Sequence, residues 1–184
     1  MAKISKGFGE LLKQQRKLQS STRAKPSVIK IESHQWQQIP PPENFEEQER
    51  RIGEIVGLDE DGEINEVNEK TLKIYYDYLV ENLQLPCEVT GSEDFPWEEY
   101  YIIGGGSKKE HAKLRKTKPS YLDTYDLLKI KYTVDEYSEL MVSVKRISDK
   151  RKFTLPLADL EVTDTTSKNY QLIDDYVVWY VNWR

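Results

Sequence analysis

A change of period at Pro86 constrains this chain more than any other feature. Before it, Leu72, Tyr75, Tyr76, Leu79, Val80 and Leu83 recur at three- and four-residue spacing, the stripe of an amphipathic helix. Asn68 offers an N-cap oxygen, and Leu85-Pro86 ends the helix, because a residue before proline is pushed out of the helical region. After it, short runs suited to extended chain alternate with turn residues: 87–90, 100–103, 127–133, 140–147, 152–157 and 176–183. Leu140, Val142 and Val144 share one strand face, and Ser148-Asp149-Lys150-Arg151 turns the chain into Phe153, Leu155 and Leu157, a hairpin signal. The last run is apolar on both faces, as a central strand is. The pattern predicts an α+β fold, with an N-terminal helix or helices packed on a curved antiparallel sheet or small SH3-like barrel.

Charge divides the 184 residues further. Residues 1–45 carry eight Lys/Arg against three acids, whereas residues 46–184 carry nineteen against twenty-nine. We therefore expect a basic, partly disordered N-terminal extension over 1–45, an acidic linker and helix over 46–66, and the α+β domain over 67–184. Within the extension, Ile4, Phe8, Leu11, Leu12 and Leu18 fall near one helical face before Pro40-Pro41-Pro42, so this part could engage a protein partner. No apolar run approaches the roughly 20 residues of a membrane span. Met1–Lys6 lack a signal-peptide pattern and Cys87 is the sole cysteine, which sets a reducing, cytoplasmic location as the expectation.

Two acidic clusters bear on chemistry. Asp59-Glu60-Asp61-Gly62-Glu63-Ile64-Asn65 resembles half a calcium loop, with Gly62 and Ile64 where an EF-hand needs them. The anchoring first and twelfth positions are Gly57 and Asn68, so the strongest oxygen donors are missing. The second cluster, Pro86–Glu99, places five carboxylates within twelve residues and no basic residue among them. Like charges so crowded repel unless solvent or a cation neutralises them. Glu93, Asp94, Glu98 and Glu99, with Thr90 and Ser92 beside them, offer the oxygen mixture a hard divalent ion takes. Residue types alone leave both a solvated acidic loop and a cation site open.

The stretch LPCEVTGSEDFPWEE over Leu85–Glu99, continuing through Tyr100–Gly104, Lys116–Tyr121 and Asp126-Leu127-Leu128, resembles the CcbP-like family of small acidic calcium-binding proteins, best known from cyanobacteria and linked to calcium signalling. The likeness spans roughly residues 70–184. It implies an α+β fold that holds Ca²⁺ on surface acids outside any EF-hand. Carried onto this chain, it implies Asp94 as the central ligand with Glu93, Glu98 and Glu99 nearby, and Asp123 as a further ligand if its loop folds back. The basic extension and the lysines at 108–118 depart from the family.

Other chemistries find little support. Gly104-Gly105-Gly106-Ser107-Lys108 lacks the spacing of a phosphate loop and reads as a turn. The basic run from Lys108 to Lys118 reads as a solvated helix face, and the acidic body argues against a specific nucleic-acid partner. Cys87 with His34 and His111 cannot complete a zinc site, and no residue set specifies catalysis. The expectation is a non-enzymatic calcium buffer or sensor. The alternative is a protein-interaction module that has lost metal binding.

Overall fold

The computed structural model describes residues 45–132 and 139–184. Expectations placed on residues 1–44, the basic helix and proline run among them, lie outside the described residues, as does the end of the 127–133 run. Helix α1 covers Phe45–Val56 and α2 covers Glu69–Asn82. Asn68 caps α2 as its sequence predicts. Its side chain accepts from the backbone of Lys70 and Thr71, and the Thr71 hydroxyl accepts from the Asn68 N–H, a reciprocal capping box. The Leu85–Pro86 peptide that follows is cis.

Five strands come next: β1 Cys87–Gly91, β2 Tyr125–Lys131, β3 Met141–Arg146, β4 Lys152–Pro156 and β5 Leu160–Val162. They form one open antiparallel sheet in the order β4-β3-β2-β1-β5, with no barrel closure among the described residues. Strict alternation on β3 buries Val142 and Val144, the face picked out from sequence. On β2 the register shifts between Leu127 and Lys129. A bulge of this kind moves later side chains across the pleat, so Ile130 follows Tyr125 and Leu127 into the core.

Two expected strands are helices. Tyr100–Ile102 fall in α3, Glu99–Ile102, with Ile103 as its C-cap, followed after a glycine turn by α4, Lys108–Leu114. Residues 176–183 lie at the end of α5, Lys168–Asn182. Ser167 caps α5 by accepting from the Tyr170 N–H, and Leu172, Ile173, Tyr176, Trp179 and Tyr180 are buried from it. That spacing is helical; the alternating β-branched and aromatic residues of 176–183 imitate a strand only when read alone.

Helices α1, α2 and α5 share one core with the sheet. Tyr75 of α2 stacks on Trp179 of α5, ring centroids 4.9 Å apart. Arg51 of α1 makes a two-pronged bond to Asp175 of α5, at 2.8 and 2.7 Å. The end of α5 also holds the segment before α2: Trp179 Nε1 donates to the Asn65 carbonyl at 3.0 Å, and the Val67 N–H to that of Trp183 at 2.7 Å.

Candidate metal centre

The acidic turn hangs between β1 and α3. At the end of β1, a Cβ on Gly91 would lie 2.6 Å from the Tyr121 backbone, so the glycine lets the 120–123 loop pack directly on the strand. The Thr90 hydroxyl faces the carbonyls of Tyr121 and Asp123 at 3.0 and 3.2 Å. Phe95 plugs the turn into the core, and Trp97 Nε1 donates to the Pro119 carbonyl at 2.6 Å. The 120–123 loop therefore does fold back on the acidic turn.

The five candidate ligands, Glu93, Asp94, Glu98, Glu99 and Asp123, nevertheless go to different surroundings. Glu98 is 0% exposed. Its Oε1 accepts from Ser120 Oγ at 2.7 Å and lies 2.8 Å from His111 Nε2, while Oε2 accepts from the Tyr121 N–H at 2.9 Å. His111 in turn stacks on Tyr101, ring planes 15° apart. A carboxylate buried away from water needs donors of this kind, and here they tie α3, α4 and the 120–121 loop together. Asp123 pairs with Arg115 at 3.0 Å and with Arg146 at 2.8 Å. Arg146, itself buried, also takes Asp149 at 2.7 Å and donates to the carbonyls of Arg115, Lys116 and Lys118. Its guanidinium holds the Asp149 carboxyl down at about 2.

Glu93 and Glu99 are exposed and Asp94 is half-buried; among the described residues none of the three has an ion pair or side-chain hydrogen bond. Beside them stands a residue the sequence did not single out. Ser92 N–H donates to the Asp159 carbonyl at 3.0 Å, which brings the loop between β4 and β5 against the turn. The Asp159 carboxyl is raised above its ordinary value, by burial first and then by the negative charge of Glu93. Only the strand pairing β1–β5 reveals this neighbour, and it joins residues nearly seventy positions apart. Among the described residues no group of three or more His, Cys, Asp or Glu side chains is set to hold a metal ion. Any cation there would complete its shell from backbone carbonyls and water, both ordinary calcium ligands.

The other sequence candidates resolve simply. Asp59 Oδ1 accepts from the Asp61 and Glu63 backbone N–H groups at 2.9 Å each, an acidic turn closed by the Leu58–Ile64 bridge. Gly104, at φ +90°, turns α3 toward α4. Burial pushes the Cys87 thiol up, whereas His111 is engaged by Glu98.

Residues 107–180 match the model of the CcbP family, described as calcium binding. Over this segment, two fifths of the chain, the sequence is similar to that family. The matched segment contains Asp123 and Asp159 and begins after the acidic turn. A solved structure of a calcium-binding protein in its calcium-binding form is similar, with 23% identity, 74% of this chain and 90% of that chain covered, and a TM-score of 0.46. The crystal structure of Anabaena CcbP is similar with 20% identity, 77% and 94% covered, and a TM-score of 0.46. A search of curated proteins gave no match. No helix among the described residues is long and apolar enough to cross a membrane.

Proposed function

We propose that this chain is a non-enzymatic calcium-binding protein, a buffer or sensor, and that Ca²⁺ is held where the acidic turn meets the CcbP-like segment. The match over 107–180 to a family described as calcium binding carries the reading. The proposed ligands are drawn from Glu93, Asp94 and Glu99 of the turn and from Asp159; no three of these side chains converge as the chain stands, so an ion would have to draw them together. A divalent cation would relieve the repulsion between Glu93 and the half-buried Asp159, which is the structural feature that fits an ion. Glu98 and Asp123 act one step back: their carboxylates are occupied by donors of this chain, and they fix the turn and the loop that carry the ligands. With few charged ligands converging, affinity belongs at the weaker end of the calcium range.

Calorimetric titration with Ca²⁺, repeated with Mg²⁺, tests the reading. Calcium at a hundredfold excess over its Kd stabilises the native state by about 2.7 kcal/mol, a Tm rise of roughly 5–10 °C for a protein of this size. Asp94→Asn should remove most of that rise. A wild-type protein with no heat of calcium binding and no calcium-dependent Tm would refute the proposal.

A further inference from the structure

The α3–α4 hairpin presents an apolar tip beside a field of uncompensated positive charge. Tyr100, Ile102 and Ile103 are 59%, 45% and 76% exposed, and Ile103 is the most exposed large hydrophobic residue described. Five residues past Ile103 the lysines begin. Lys108, Lys109, Lys113 and Lys116 are exposed, and among the described residues none of them has an ion pair. Arg115 and Lys118 are engaged elsewhere, on Asp123 and over the Trp97 ring. From Glu99 to Lys118 the chain carries six Lys/Arg against two acids, the reverse of the surrounding body.

The hairpin is held in shape. A Cβ on Gly105 would lie 2.6 Å from the Tyr100 ring, and one on Gly106 2.2 Å from the Tyr101 ring, so the glycine turn lies flat against both aromatics. His111 stacks on Tyr101 and bonds to buried Glu98, which anchors α4 to the body. A surface fixed in this way pays little ordering entropy on association. Exposed apolar side chains rimmed by charge mark an interaction site.

We propose that this hairpin docks on an anionic lipid surface, with Ile102 and Ile103 entering the headgroup–acyl boundary and the four lysines meeting lipid head groups. Charge complementarity selects an anionic partner. The isoleucines select lipid over nucleic acid, since aliphatic side chains gain from the acyl boundary and offer neither base stacking nor phosphate contacts. Each lysine near such a surface strengthens binding about fivefold, and each isoleucine that buries its side chain adds about tenfold or more.

The test is co-sedimentation of the full chain with phosphatidylcholine vesicles, with and without phosphatidylserine, in chelator, so that its outcome is separate from that of the calcium reading. The wild type should pellet with the phosphatidylserine vesicles only. Lys108→Gln with Lys109→Gln should weaken partitioning about 25-fold, and Ile102→Ser with Ile103→Ser about 100-fold or more. All four positions are exposed, and circular dichroism checks that the fold persists. Absence of pelleting overturns the proposal, as does pelleting that neither variant weakens, which would assign it to the basic N-terminal residues. Capture of duplex RNA that depends on the lysines but not on the isoleucines also overturns it, in favour of a nucleic-acid partner.

Discussion

Glu98→Ala is the sharpest probe of how the acidic turn is built. In the folded protein the Glu98 carboxylate is out of contact with water and takes three hydrogen bonds, from Ser120 Oγ, the Tyr121 N–H and His111. Bonds to a charged acceptor are worth about 1.5–3 kcal/mol each, offset by the cost of burying the charge. Removing one member of such a network strands the others, and the net loss is about 3–5 kcal/mol. Glu98→Gln keeps the volume and one acceptor oxygen, and should cost about 1–3 kcal/mol, the penalty of a single unsatisfied buried group. Urea unfolding in chelator, followed by tryptophan fluorescence, measures both, since Trp97 lies beside the network and Trp179 sits in the core. A Glu98→Ala protein within about 0.5 kcal/mol of wild type, where exposed surface substitutions fall, or one more stable, would refute the reasoning. It would mean that repulsion among the acids outweighs the bonds.

Two further perturbations separate the remaining carboxylates. Asp159→Asn should raise the Tm of the calcium-free protein by removing a half-buried charge that faces Glu93, and shrink the rise that calcium produces; a thermal shift with and without Ca²⁺ checks both directions. Asp149 is depressed from 3.8 to about 2 by Arg146, so its contribution is complete above the ordinary carboxylate value and is lost as pH falls through about 2. Asp149→Asn should therefore flatten the acid limb of stability between those values, and an unchanged slope would contradict the pairing.

Local chemistry made some elements legible and hid others. Helix α2 could be read from its apolar period and from Asn68, because both signals lie within a few residues of what they control. The β3–β4 hairpin was legible for the same reason. The 100–103 and 176–183 runs misled because β-branched and aromatic residues carry strand propensity, while tertiary burial decided for helix; Ser167, nine residues before Tyr176, held the missed start signal. At the site, the acidic turn was legible, whereas the fold-back of 120–123 stood only as a condition on Asp123. The pairing of Glu98 with Ser120 and His111, and of Asp123 with Arg146, joins residues 13 to 23 positions apart. No spacing rule links such residues. A carboxylate that looks free in a list of acids can thus be wholly spent inside the fold.

The open sheet has one further consequence. Among the described residues no strand lies beyond its outer strands, β4 and β5, and such an edge is the template on which copies of a chain aggregate. β5 has three residues. β4 has five, entered by Lys152 after Lys150-Arg151 and closed by Pro156, which cannot donate to an added strand. One rim is too short to seed a neighbour and the other is guarded by like charge and a missing donor, so the apolar strands between them can stay in one molecule at high concentration.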